Sequence, residues 1–194
     1  MIAFVSGRFV VKLPSQVVVD VNGVGYDLQI SLNTYSSISR NESGKLYTYL
    51  HITENAHTLY GFFDLAEKEL FLQLISVSGV GASTARMMLS GLRPDEIAKA
   101  VIQNNTKQLE SVKGIGRKTA ERIVLELKDK LGRLQTNPYE TSYSHSTIET
   151  DALNALISLG IQRNNAEAAL KKVTLSNSNS LSIEDIIKLA LKNL

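Results

Sequence analysis

The residues with the clearest chemical purpose come in two matching sets. Gly79-Val80-Gly81 runs into Ala82-Ser83-Thr84, and Gly114-Ile115-Gly116 runs into Arg117-Lys118-Thr119. Sliding the chain on itself by 35 residues lays 73–92 over 108–127 with nine of twenty positions identical. A match that dense marks two copies of one supersecondary unit. Two glycines around one aliphatic residue allow a tight turn and leave the backbone bare, while Val80 or Ile115 can anchor that turn in a core. If a helix starts after each turn, its unpaired N–H groups and the positive end of its dipole point outward, which makes a phosphate site. In the second copy Lys113 precedes the turn, Arg117 and Lys118 begin the helix, and Arg122 follows one turn on. The first copy has Ala82 and Ser83 where the second has Arg117 and Lys118. It is expected to bind through backbone N–H groups and the hydroxyls of Ser83 and Thr84, with Arg86 as the nearest cation.

Other chemistries fit less well. Gly116-Arg117-Lys118-Thr119 approaches a P-loop, but that motif needs Gly immediately before Lys, and Arg117 stands there. A dinucleotide fingerprint needs a strand before its first glycine, whereas the flanks here have helical spacing. The three histidines, His51, His57 and His145, pair with no carboxylate at metal-ligand spacing. No nucleophile-elbow pattern occurs, and the absence of cysteine excludes disulfides, thiolate metal sites and cysteine nucleophiles. No catalytic residue, metal ligand or cofactor is therefore assigned, and the chain is expected to bind and organise. A helix hairpin that binds nothing is the plain alternative for the repeat, but it leaves the duplication and the local charge unexplained. Residues 1–64 hold four Lys/Arg against five Asp/Glu, 65–134 twelve against eight, and 135–194 five against six. The positive excess thus falls on the repeat, where a polyanion would bind.

The elements that must position these residues follow from period. The chain has 194 residues, 43% of them hydrophobic, enough for one domain or two to three small ones. Residues 17–21, 25–30, 46–52 and 58–62 are β-branched or alternating runs, and Asn22-Gly23 suits a hairpin turn. Four or five short strands with no helix pattern between them suggest a small barrel, for which the OB-fold is the usual five-stranded solution. A generic small β-domain is the alternative. From Leu65 the spacing turns helical at Leu70, Leu74 and Val77, then Ile97, Ala100 and Val101, then Ile123, Leu127 and Leu131. Residues 135–146 have no apolar period and many Ser/Thr, and read as a flexible linker. Short helices are predicted over 152–159, 164–173 and 183–191, the last capped by Ser182. No apolar run approaches the roughly 18 residues of a membrane span, and no secretory signal pattern opens the chain, so a cytoplasmic protein without membrane partners is expected.

The Gly-aliphatic-Gly turns resemble the helix-hairpin-helix motif, which grips duplex backbone without reading sequence. With Asn22-Gly23-Val24-Gly25-Tyr26, Leu59-Tyr60-Gly61-Phe62, Gly79-Val80-Gly81 and Gly114-Ile115-Gly116-Arg117-Lys118-Thr119-Ala120-Glu121-Arg122 in that order, the whole chain resembles the RuvA family, the Holliday-junction-binding subunits of the bacterial branch-migration complex. The resemblance implies a mixed β and α, multidomain chain. Its parts are an OB-fold barrel over 1–64, tandem helix-hairpin-helices over 65–134, a linker over 135–148 and a three-helix, ubiquitin-associated-like domain over 149–194. It also implies a homotetramer with barrels at the centre and hairpins on the four DNA arms, with a second tetramer on the other face making an octamer. Its further partners are a hexameric motor ATPase, which hydrolyses the ATP, and a junction-resolving endonuclease, all in recombination and DNA repair. In that family an acidic turn between the last two barrel strands projects at the crossover. Here it reads Glu54-Asn55, with one acid where the family has two adjacent ones. The motor-docking residues implied for the third domain are Leu156, Leu159, Gly160 and Ile161, some of which must also serve its core.

Two other functions remain open on the residues alone. A nuclease or ligase accessory subunit, or generic duplex clamp, would bind linear DNA as well as junctions. A protein-interaction adaptor would show no salt-dependent DNA binding.

Overall fold

Apolar side chains at every second position roll the first sixty residues into a closed barrel. Its strands are β1 (Phe4–Leu13), β2 (Gln16–Val21), β3 (Val24–Ile30), β4 (Ser43–Ile52) and β5 (His57–Phe62), in the spatial order β1-β2-β3-β5-β4. Val5, Phe9, Val17, Val19, Leu28, Ile30, Leu46 and Leu59 fill the interior. The computed structural model describes residues 1–135, 145–176 and 182–192, and the chain divides into two compact units, Met1–Pro138 and Tyr139–Leu194.

β1 serves two neighbours. Phe4–Arg8 pairs with β4 and Arg8–Leu13 with β2, and a bulge between Phe9 and Val11 bends the strand from one partner to the other. Asn22 and Gly23 both take positive φ, 51° and 88°, so β2 and β3 are joined by the two-residue turn that the dipeptide predicts. β3 and β5 run parallel, because the chain first crosses through a helix and β4. That helix, α1 (Leu32–Ile38), corrects the expectation of a barrel with no helix between its strands. Asn, Thr, Tyr and Ser are indifferent helix formers, each up to roughly 0.7 kcal/mol worse than alanine. Burial of Ile38 among the barrel residues offsets them, since fully burying such a side chain is worth about 1.5–3 kcal/mol. Ser31 caps the helix by accepting from the Thr34 N–H at 3.0 Å, and Lys12 Nζ donates to the Ser39 and Asn41 carbonyls at its far end.

Five helices complete the first unit: α2 (Leu65–Ile75), α3 (Ala82–Gly91), α4 (Pro94–Ile102), α5 (Thr106–Glu110) and α6 (Arg117–Gln135). Asp64 caps α2 by accepting from the Glu67 N–H at 2.7 Å, and Pro94 opens α4 at a position where its missing N–H costs nothing. Val77, at helical spacing from Leu74, lies past the end of α2 but is buried all the same. One core runs through these helices and into the barrel, where Phe71 packs against Tyr49, Tyr60 and Phe62 at ring-centroid distances of 5.7, 5.1 and 4.9 Å. Beside it the buried Glu67 carboxylate accepts from the hydroxyls of Ser31 and Thr34. Burial pushes its pKa above the usual glutamate value, against the opposing effect of those hydrogen bonds. A carboxylate thus clasps α2 to α1.

In the second unit α7 (His145–Ser158), α8 (Arg163–Ser176) and α9 (Ile183–Lys192) enclose Ala152, Leu156, Ala166, Ala169, Leu170, Val173, Ile186 and Ala190. Half of that core is alanine, which lets the three helices approach closely. Ser182 caps α9 through the Asp185 N–H, as expected. The stretch 135–148 read as a linker needs one correction: α7 already begins at His145, and α6 runs to Gln135. The remainder of that stretch, 136–144, lies outside the described residues.

Candidate nucleic-acid interface

The two repeats fold into two copies of one hairpin, α2–turn–α3 and α5–turn–α6, with their hydrogen bonds in register. Val80 N–H donates to Val77 O at 3.0 Å and Ile115 N–H to Val112 O at 3.0 Å. Ser76 Oγ donates to Gln73 O, and Ser111 Oγ to Gln108 O. Val80 and Ile115 are buried as the anchors of their turns. The first glycine of each turn has a left-handed backbone, φ +90° at Gly79 and +94° at Gly114, which other residues adopt only with strain.

The second glycine of each turn has a different reason. Gly81 sits at φ −82°, which any residue can adopt, and a Cβ added at Gly81 or Gly116 would meet nothing within 4 Å. What glycine secures there is open space in front of a helix N-terminus. The first intrahelical bonds are Ala85 N–H to Gly81 O and Ala120 N–H to Gly116 O, both 2.9 Å. The N–H groups of Ala82, Ser83 and Thr84, and of Arg117, Lys118 and Thr119, therefore precede the helical ladder, and glycine offers no side chain to cap them. Ala82 is buried, so Ser83 and Thr84 on the first helix and Arg117, Lys118 and Thr119 on the second carry the donors nearest solvent, beside the positive end of each dipole, an arrangement suited to an anion. In the second hairpin Lys113, Arg117 and Lys118 are exposed around the turn. Arg117 holds Glu121 at 2.9 Å, and this bond, together with the nearby Glu110 charge, raises the guanidinium pKa further.

The barrel carries the other predicted feature. Thr53–Ala56 connects β4 to β5, closed by Thr53 N–H to Ala56 O at 2.9 Å, so Glu54 and Asn55 stand exposed at the tip of that turn.

Models of known families cover almost the whole chain: RuvA N terminal domain over residues 1–61, SAM-like helix-hairpin-helix tandem over 71–129, and RuvA C-terminal domain over 147–194. Proteins named Holliday junction branch migration complex subunit RuvA are 47% identical in Cytophaga hutchinsonii, with 99% of each chain covered, and 44% identical in Amoebophilus asiaticus, covering 99% of this chain and 100% of the relative. The relative of that name from Christiangramia forsetii is 44% identical over the full length of both chains. The chain belongs to the RuvA family.

In this RuvA family member three of the residues singled out from sequence have other engagements. Arg86, expected as the first hairpin's phosphate cation, turns instead to the barrel: its Nη1 donates to Ser15 O at 3.0 Å and to Gln29 Oε1 at 2.6 Å. Its charge partly offsets the upward push that burial gives the Tyr60 pKa. Arg122 Nη1 donates to both Ser78 O and Ser78 Oγ at 3.1 Å, so it ties the second hairpin's helix to the first hairpin's turn. Leu156 is fully buried in the three-helix core and cannot face a partner, which corrects its assignment to a docking surface. Leu159 is 63% exposed, Gly160 ends α7 at φ +89° and Ile161 packs partly against the core.

Sequence reasoning missed Ser78, Gln29 and Glu67. Ser78 had a signal, since the 35-residue shift lays it on Lys113 and so marks the neutral turn against the charged one. Gln29 and Glu67 had none, because their partners are 57 and 36 or fewer residues distant along the chain. His51 and His57 do lie on paired strands, His57 opposite Ile52 and His51 opposite Thr58. Among the described residues no group of three metal-ligating side chains converges, and no helix is long and apolar enough to cross a membrane.

Proposed function

We propose that this chain binds four-way DNA junctions without reading their sequence, as a subunit of a branch-migration complex. The observation that carries the proposal is the pair of uncapped helix N-termini behind Gly81 and Gly116, held in one compact unit with a barrel whose exposed turn bears Glu54. Two backbone phosphates of one DNA arm take the bare N–H groups of the two hairpins, with Ser83 and Thr84 on the first and Lys113, Arg117 and Lys118 on the second. Such contacts fix position and carry no base information. Four protomers around the crossover would direct four Glu54 carboxylates at its centre, where they repel phosphate and favour strand separation. The third domain, through the surface around Leu159, Gly160 and Ile161, docks the hexameric motor ATPase. Tethering keeps that partner at high effective concentration while its geometry changes. The chain itself is non-catalytic and cytoplasmic, and a paired octamer and a junction-resolving endonuclease belong to the same reading.

The test is a titration of a synthetic four-way junction against linear duplex of the same arm sequences, with excess nonspecific competitor. Selective, stoichiometric binding to the junction is expected. Equal binding to both would reduce the chain to a generic duplex clamp, and binding to neither would leave an adaptor for proteins.

A further inference from the structure

Helix α3 begins at the first hairpin's bare N–H groups and is fastened to the barrel side of the molecule from its middle to its end. Midway along it Arg86 reaches the β1–β2 turn at Ser15 O and the outward-facing Gln29 of β3. One turn on, Ser90 Oγ accepts from the Leu32 N–H at 3.1 Å. At its end Asn33 Nδ2 donates to Leu89 O at 2.6 Å and Leu92 O at 3.1 Å. Ser90 Oγ also donates to Arg86 O, which joins the first two attachments. The guanidinium is half-buried, committed to two neutral acceptors and turned toward the barrel.

We propose that Arg86 is a positioning residue that sets the direction of the first hairpin relative to the barrel, and thereby the preference for a junction over linear duplex. The assignment rests on the junction-binding reading above. One protomer gripping linear duplex needs only its own two hairpins. Protomers sharing one crossover must each aim their hairpins at a different arm, so an angular error at α3 is felt on the junction first. Rigid attachment at three points makes that aim a property of the free protein, which lowers the ordering cost on binding.

Arg86→Gln and Gln29→Leu test this together. The first removes the guanidinium. The second keeps the charge and removes the nearer of its two acceptors, leaving Ser15 O, and Gln29 lies outside the barrel core between the buried Leu28 and Ile30. Affinities for junction and linear duplex are measured for wild type and both variants across a salt series, after checking that each variant melts cooperatively with the wild-type oligomeric size. Both variants should lower junction affinity by about tenfold, within the range by which residues that touch no ligand alter binding elsewhere. Duplex affinity should stay within about twofold, and the slope of log affinity against log salt should not change, because no phosphate contact is lost. A slope reduced by about one for Arg86→Gln, equal losses on both DNAs and a silent Gln29→Leu would make Arg86 a phosphate ligand and overturn the proposal. Should Arg86→Gln fail to fold, Gln29→Leu alone decides, and an unchanged junction preference there refutes the proposal. A wild-type protein with no junction preference would refute the underlying reading instead, and that is seen before any variant is compared.

Discussion

Each hairpin turn spends two glycines for two different reasons, and alanine substitutions separate them. At Gly79 and Gly114 the left-handed backbone is the requirement, while a Cβ would meet no neighbour within 4 Å. Alanine there is strained by about 1–2 kcal/mol. A unit of 138 residues loses roughly 3–4 °C of melting temperature per kcal/mol, so Gly79→Ala should lower Tm by about 3–8 °C. At Gly81 the backbone is already extended. Alanine gains about 0.4–1 kcal/mol by restricting the unfolded chain and loses a similar amount as a poorer N-cap, of order 0.5–1 kcal/mol. Stability should therefore move by less than about 0.5 kcal/mol. DNA binding should move far more, because the new methyl occupies the space through which phosphate reaches the N–H groups of Ser83 and Thr84. Losing one charge-assisted hydrogen bond costs about 1.5–3 kcal/mol, or roughly 10- to 150-fold in affinity. Thermal melting followed by circular dichroism and anisotropy titration with a labelled four-way junction measure the two effects on the same samples. If Gly81→Ala and Gly116→Ala both bind like wild type, the backbone N–H groups are not the phosphate ligands and the site assignment fails. If Gly79→Ala melts with the wild type, the positive φ is not what glycine is needed for.

Three further outcomes are expected. Replacing Arg117 and Lys118 together by Gln should weaken junction binding by about tenfold and flatten the salt slope, since up to two phosphate contacts per protomer are lost; an unchanged slope in the same anisotropy assay would remove these side chains from the interface. Burial raises the Glu67 pKa, so between the ordinary glutamate value and that raised value the folded state binds more protons than the unfolded one, and stability rises as pH falls. Denaturant titrations of wild type and Glu67→Gln at several pH values should show the wild type gaining on the variant on acidification through that window, and a constant difference would contradict it. In the second unit Leu156→Ala should cost about 2–5 kcal/mol of stability, whereas Leu159→Ala, at an exposed position, should change stability by less than about 0.5 kcal/mol and weaken motor docking in a pull-down with the motor ATPase.

What was legible in the sequence was whatever a short window encodes. Asn22-Gly23 announced its turn, alternation announced four strands, and the 35-residue repeat announced two hairpins, because in each case the determining contacts are a few residues apart. The helix α1 was illegible, since its residues have weak helical preference and its stability comes from burying Ile38 against strands that precede and follow it. The candidate phosphate donors were legible as a set, because a glycine before a helix leaves N–H groups bare wherever it occurs. Side-chain direction was not. Arg86 and Arg122 have the right type and spacing for phosphate, yet their acceptors lie 57 and 44 residues away in sequence and only the packed structure brings them close. Leu156 and Leu159 illustrate the same limit within one helical turn, where only the neighbouring helices decide which leucine is core.

The unequal hairpins suggest how one unit divides its electrostatics. Backbone N–H donors carry no net charge, displace few counterions from the DNA and form short-range bonds, so their contribution is nearly independent of ionic strength, whereas exposed cations act through release of DNA counterions and fade steeply with salt. On the proposed reading the second hairpin, with Lys113, Arg117 and Lys118, supplies the salt-dependent attraction that captures DNA, although Arg117 must share its charge with Glu121. The first hairpin lacks cations at the matching positions: Arg86 is engaged by the barrel, and the cation at its turn, Arg122 on Ser78, comes from the second hairpin. Its value therefore lies in direction rather than charge. A neutral, rigidly aimed pair of donors contributes little to nonspecific capture, which is what a protein that must prefer one DNA geometry over an excess of plain duplex requires, because specificity is a difference of affinities. On this argument substitutions in the second hairpin chiefly lower affinity for all DNA, and substitutions that misdirect the first chiefly lower the preference for the junction.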